Sequence, residues 1–280
     1  MATTAEPFRA SSSLADRALS WSATLLVAMS WVSAGLFGAY ILAFFGGMAV
    51  GGTPERWNQS LPRLHEAATP GATLAIGAHF VTGGILLLLG PIQLIGGVRR
   101  RWPAVHRWIG RLYVSAAALA GLGGLGFILA KGTVGGPAMS LGFGLYGASM
   151  VACAWLAFTN ARARRFDTHR AWAIRLFALA IGSWLYRMEY GFWFLTMGKW
   201  AHTHDFRGGF DLVMDVFFYV PNLAVAEMFI RARRGMGGAL RWTASGTLLA
   251  TSVLLALATW YAVFHLWLPS ALDGVAAATR

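Results

Sequence analysis

Seven long apolar segments, near residues 21–49, 72–97, 107–130, 137–159, 170–197, 210–231 and 243–268, constrain this chain more than any motif in it. Crossing a hydrocarbon core of about 30 Å takes roughly 20 helical residues at about 1.5 Å each, and every one of the seven is long enough. Lipid offers no water to satisfy backbone N–H and C=O groups, so each segment has to close its hydrogen bonds within itself as a helix. A hydrophobic content of 57% against 12% charged residues leaves too little polar surface to coat a soluble domain of this length. The expectation is an all-α integral membrane protein: one domain of seven transmembrane helices over 21–268, with tails over 1–20 and 269–280.

The net charge of +12 would suggest nucleic acid in a soluble protein, but the arginines concentrate in alternate loops. Arg9 and Arg17 precede the first segment; Arg99, Arg100, Arg101 and Arg107 separate the second and third; Arg162, Arg164, Arg165 and Arg170 the fourth and fifth; Arg231, Arg233, Arg234 and Arg241 the sixth and seventh. The positive-inside rule then puts the N-terminus in the cytoplasm and the C-terminus outside, in a bacterial inner membrane, with membrane lipids rather than nucleic acid as the anionic partner. The polar stretch before residue 21 has no small-x-small cleavage site, so the first segment reads as an uncleaved span. One cysteine, Cys153, excludes an intrachain disulfide, a C-x-x-C haem attachment and an all-cysteine iron–sulfur site. Chemistry here falls to nitrogen and oxygen.

One motif occurs twice. Residues 106–113 read His-Arg-Trp-Ile-Gly-Arg-Leu-Tyr and residues 169–177 His-Arg-Ala-Trp-Ala-Ile-Arg-Leu-Phe, the same pattern with one insertion. Pro103 suits the first position of a helix and Asp167 an N-cap, which places His106 and His169 in first turns. There the positive end of the helix dipole and the neighbouring arginines favour neutral imidazole, the form that ligates metal. Gly110 and Ala173 lie four residues on, as Gly83 does after His79, and a small residue there leaves the gap a flat macrocycle needs. The segments carrying the motif run the same way, so the hairpins 107–159 and 170–231 read as parallel repeats, with His106 and His169 facing each other at the inner surface. Gln93 reads as an interhelical hydrogen bond. Toward the outer side, Arg187, Glu189, Asp211 and Asp215 lie within apolar segments, and groups of that kind face protein or water. Arg187 with Asp215 is the expected ion pair.

His79, Gly90-Pro91-Ile92-Gln93, the two histidine–arginine motifs and Arg187 together resemble the predicted membrane protein family called domain of unknown function 2306, over roughly residues 72–190. That resemblance implies a multi-span membrane protein and no particular activity. A looser similarity to two-haem transmembrane b-type cytochromes implies histidines paired from alternate helices. His106 and His169 fit an inner pair; an outer one lacks a histidine on the fourth segment, and only His265 is left to partner His79.

Four readings stand. In the first, haem b is held by His106 and His169, Arg111 or Arg175 pairs with its propionates, and electrons pass to a quinone or another redox partner. In the second, Arg107, Arg111, Arg170 and Arg175 at two helix N-termini form an anion site of a transporter or lipid-handling protein, with His79, Arg187, Glu189 and Asp215 as a relay. The third is an assembly factor without chemistry. The fourth is a divalent metal at His202, His204 and Asp205 with His65 or Glu66. No P-loop, H-E-x-x-H or G-x-S-x-G motif occurs.

Overall fold

The computed structural model describes residues 13–60, 62–233 and 237–279, and every regular element among them is helical. Arg9, Arg234, Arg280 and most of the tail expected over 1–20 lie outside the described residues. The main helices are α1 (Leu14–Val50), α2 (Pro70–Leu94), α3 (Pro103–Lys131), α4 (Gly136–Arg162), α5 (Phe166–Ala180), α6 (Gly182–Met197), α7 (Gly209–Arg233) and α8 (Gly238–Ala278). Six of them, all but α5 and α6, are long and apolar enough to cross a membrane. Where the sequence places a fifth crossing, α5 and α6 follow one another on either side of Ile181.

Local chemistry sets the helix ends. Ser13 caps α1, its hydroxyl accepting from the Asp16 N–H at 3.2 Å while the Asp16 carboxylate accepts from the Ser13 N–H at 3.3 Å. Pro70 and Pro103 open α2 and α3, where a missing N–H costs nothing. Gly132, at φ +70°, closes α3. The last helix runs to Ala278, beyond residue 268 where its apolar segment ends.

Consecutive helices from α1 to α5 pack side by side, α7 packs on α5 and α8, and α8 returns to α1. α6 sits between the two cores of the bundle. Its Tyr186 and Tyr190 pack with Tyr146, Met214 and Phe218 from α4 and α7, and its Trp184 and Met188 with Phe37, Phe44 and Leu255 from α1 and α8. Near their C-terminal ends α1 and α8 each loosen into a π-turn, Leu42–Gly46 and Val263–Trp267. The Trp57 indole N–H donates to the carbonyl of Phe45 in the first of these at 3.0 Å. There the two helices meet backbone to backbone: a Cβ on Gly274 would collide with the Ala43 carbonyl, and one on Gly47 with that of Gly274. Gly35, Gly38 and Gly46 of the same helix have nothing within 4 Å of where a Cβ would sit.

Two helices are interrupted at facing places. Pro221 has no N–H to continue the helix, and α7 breaks at Phe218 and Tyr219. A Cβ on Gly182, just past the break at Ile181, would stand 3.4 Å from the Phe218 carbonyl and 3.2 Å from the Tyr146 ring. Side chains take up carbonyls at both breaks: the Tyr146 hydroxyl donates to Leu179 at 2.7 Å and the Asn222 amide to Phe218 at 2.8 Å.

Candidate functional site

Polar side chains gather at two places in the bundle, inner and outer in the orientation expected from the arginine loops. At the inner one, His106 and His169 lie in the first turns of α3 and α5, although Arg165, not Asp167, is the N-cap of α5 and Asp167 follows in its first turn. His169 Nδ1 lies 2.8 Å from the Ala157 carbonyl of α4. A carbonyl only accepts, so Nδ1 carries the proton, and in a neutral ring Nε2 is then the nitrogen with the lone pair. His106 differs: its Nδ1 is buried and has no hydrogen-bond partner. Arg99, His169 and Arg107 are the ionisable groups whose charge acts on its ring. α3 and α5 both pack against α2, and Gly90 of α2 is tight between Tyr113 of α3 and Phe177 of α5.

Gln93 does not make the interhelical hydrogen bond expected of it. Its Oε1 lies 3.1 Å from where a Cβ on Gly110 would sit, so its carboxamide takes the gap beside that glycine, and its Nε2 is buried without a partner. With His106 Nδ1 and the Tyr113 hydroxyl this makes three unpartnered buried polar atoms contributed by α2 and α3. An orphan of that kind costs about 1–3 kcal/mol.

The repeated motif has a packing reason of its own. Arg111 stacks over Trp108 at 4.8 Å and Arg175 over Trp172 at 4.7 Å, so W-x-x-R is a cation–π pair across one helical turn in both copies. Arg175 is also committed to Glu227, Nη2 to Oε2 at 2.5 Å, and Glu227 accepts from Arg231 at 2.9 Å. The Arg175 charge is therefore compensated within the chain.

The outer place is built of carboxylates and tyrosines. Asp211, in the first turn of α7 and 0% exposed, accepts from Tyr190 and His202, both at 2.7 Å, and from the backbone N–H groups of Thr203 at 3.0 Å and Gly208 at 2.9 Å. The loop that delivers these donors holds Ala201 and Phe206 at φ +57° and +56°. Gly208 must be glycine, since a Cβ there would strike the Ala201 carbonyl. One turn on, Asp215 is 3% exposed and neither of its oxygens has a partner. A Cβ on Gly142 of α4 would collide with the Asp215 carbonyl, so α4 and α7 touch at this level.

The expected ion pair between Arg187 and Asp215 does not form. Arg187 lies over the Phe37 ring at 5.7 Å, toward α1, whereas Asp215 lies on the side of Tyr186, one residue and about 100° away around α6. Glu189 Oε2 is buried and unpartnered. His79 Nδ1 is bonded to the Ala120 carbonyl of α3 at 3.0 Å, and Gly124 leaves the room for its ring. His265 is exposed and stacks on Tyr261 with ring centroids 4.4 Å apart, so it does not join His79.

No group of three or more histidine, cysteine, aspartate or glutamate side chains able to hold a metal is present among the described residues, and the expected loop cluster is dispersed. His202 serves Asp211. Asp205 accepts from Thr203 at 2.6 Å, which holds its carboxyl below the usual range. Glu66 pairs with Lys131 at 2.8 Å and Arg63 at 2.9 Å, and those two bonds, Lys131 first, hold its carboxyl low as well. Tyr186, Tyr190 and Tyr146 carry no flag in the sequence. The spacing of Tyr186 and Tyr190, one helical turn apart beside Glu189, is the signal that could have found the first two.

The family described as predicted membrane protein (DUF2306) matches residues 76–230, from α2 into α7. The matched stretch holds both inner histidines, Arg187 and Asp215, and it extends past residue 190, where the sequence resemblance stops; all of α1 and all of α8 fall outside it. A search of the curated proteins found no match, and neither did a search of the solved structures. More than half of the chain is covered by the match, and the chain belongs to the DUF2306 family of predicted membrane proteins.

Proposed function

We propose that this membrane protein binds haem b at its inner end, where His106 and His169 would hold it, and that the bound group would pass electrons to a quinone or another redox partner. The observation that carries the reading is the state of the two rings. The hydrogen bond to Ala157 engages His169 Nδ1 as the donor and leaves Nε2 as the nitrogen for a ligand, the arrangement usual for a ligating imidazole whose other nitrogen donates to a carbonyl. His106 keeps a buried ring nitrogen that nothing in the chain satisfies. Two protein ligands suffice for such a group, and when bound it supplies one-electron transfer. Gln93, its amide nitrogen unpartnered beside Gly110, is the side chain that has to yield or donate to a ring seated there. Of the two arginines, Arg111, exposed and without a carboxylate partner among the described residues, is free to meet a propionate; Arg175 already has Glu227.

The proposed setting is a seven-span bundle in a bacterial inner membrane, with α5 and α6 together as the fifth crossing, the N-terminus inside and the C-terminus outside. The alternating arginine loops support this orientation. The ion pair of Asp16 with Arg241 at 3.2 Å, which ties the start of α1 to the start of α8, and that of Glu66 with Lys131, which ties the loop before α2 to the end of α3, support the count of crossings, since seven spans put each pair of ends on one side. The shared W-x-x-R stacking supports a parallel relation between the hairpins 107–159 and 170–231.

A reduced-minus-oxidised absorbance spectrum of the full-length protein, purified from cells supplied with haem precursor, tests the reading. Reducible Soret and α bands are expected, lost in His106→Ala and His169→Ala and kept in His79→Ala. Protein that folds and shows no reducible band ends the proposal. An anion site at the same helix ends is less well supported, since Glu227 already neutralises Arg175.

A further inference from the structure

The outer carboxylates carry an inference of their own, resting on none of the geometry used above. We infer that Asp215 is a proton-storage site inside the membrane, connected to the outer face through Tyr186, Tyr190, Asp211 and His202.

Two aspartates one turn apart on α7 live in opposite surroundings. Asp211 receives four donors, two from side chains and two from backbone N–H groups, so its negative charge is well matched. Asp215 is 3% exposed and has no donor on either oxygen. A second anion there would be both desolvated and repelled by the first, and a carboxyl in that position keeps its proton. The same division of labour between neighbouring carboxyls underlies acid–base pairs elsewhere. The ionisable groups acting on this region are Asp211 on the same helix and Tyr186, Tyr190 and Arg187 on α6, while α4 presents Gly142 and Phe143. No cation pairs with Asp215 among the described residues.

The route outward is short, and two of its four links are bonded already. Tyr186 lies in the field of both carboxylates, its buried hydroxyl has no partner, and its ring centroid is 4.7 Å from that of Tyr190. Tyr190 donates to Asp211 at 2.7 Å, and so does His202, whose side chain is 12% exposed. A rotated hydroxyl or a single water closes the remaining gaps. Inward transfer balances as follows. A proton arrives at His202 Nε2, and the Nδ1 proton leaves for Asp211. Asp211 hands one proton to the Tyr190 oxygen as Tyr190 gives its own to Tyr186, and Tyr186 gives its own to the Asp215 carboxylate. One proton enters, one O–H bond forms on Asp215, Asp211 and both tyrosines return to their starting states, and His202 is left as its Nε2–H tautomer until a ring flip points an N–H back at Asp211.

Infrared spectroscopy of the full chain reconstituted in lipid tests this. At pH 7 a carboxylic-acid C=O band is expected that shifts when the chain is labelled with ¹³C-aspartate, disappears in Asp215→Asn and persists in Glu189→Gln. The labelled wild-type protein answers even if Asp215→Asn does not fold. On transfer to deuterated buffer the band should exchange about tenfold more slowly in Tyr190→Phe and in His202→Gln. A band that is absent, that does not respond to aspartate label, or that survives in folded Asp215→Asn overturns the storage site. Exchange unaltered in both relay variants overturns the route.

Discussion

The two polar regions of this bundle solve the same problem by opposite means. At the inner end Arg175 and one imidazole have a carboxylate and a backbone carbonyl as partners, Arg111 and Arg175 each stack on a tryptophan, and the orphans are neutral: an amide, a hydroxyl and a ring nitrogen. At the outer end one carboxylate takes four donors and its neighbour takes none. A neutral orphan costs a lost hydrogen bond, whereas an ionised one costs several times more unless it neutralises. Both proposals build on that difference: neutral unpartnered atoms at one end would receive a ligand, and an unpartnered carboxyl at the other would hold a proton.

That contrast can be broken by measurement, and the largest effect should come from Asp211. Asp211→Asn leaves donors from four groups facing an amide and should cost about 3–5 kcal/mol of stability. Asp215→Asn should change stability by less than about 1 kcal/mol, because no bond is lost. Thermal unfolding in detergent compares the two, and equal losses would erase the distinction between them. Next, Glu227→Gln should cost about 1–3 kcal/mol by stripping Arg175 of its counter-charge, and the double variant with Arg175→Met should recover most of it. In protein free of any ligand, His106→Leu should be neutral or stabilising by up to about 1 kcal/mol, since it removes a buried nitrogen with no partner. A large loss would mean that His106 has a structural partner.

The smallest effect concerns the outer loop. Glu66 is held below its ordinary value of 4.5 by Lys131 and then Arg63. Its ionised form therefore stabilises the fold above pH 4.5, and that contribution fades as pH falls through the lowered value. Acid titration of unfolding should show this pH dependence in the wild type and a reduced slope in Glu66→Gln.

Much of the architecture was legible because apolar run length is a local property. The six long helices fall on six of the seven segments. The break at Ile181 was hidden, since what makes room for it is tertiary: Tyr146 reaching Leu179 and Gly182 lying against Phe218. The recurrence of W-x-x-R was visible, but its stacking needed side-chain directions to be recognised. The ion pair of Arg187 with Asp215 failed for a similar reason. Depth can be counted along a sequence, but azimuth around a central helix depends on how its neighbours turn it, and Arg187 turns toward Phe37. Asp211 and Asp215 share a face by spacing alone, yet their unequal donors come from a loop whose path no periodicity describes.

The backbone contact of Gly47 with Gly274, reinforced by Thr259 donating to Ser33 at 2.6 Å, joins the first helix to the last. A ribosome feeding this chain into a bilayer releases α1 long before α8 exists, so α1 has to wait among lipids with that glycine seam open. Insertion of α8 is then the event that shuts the ring. A chain cut short before Gly238 should persist as an inserted but loosely gathered set of helices, susceptible to membrane proteases, rather than as a smaller version of the same bundle.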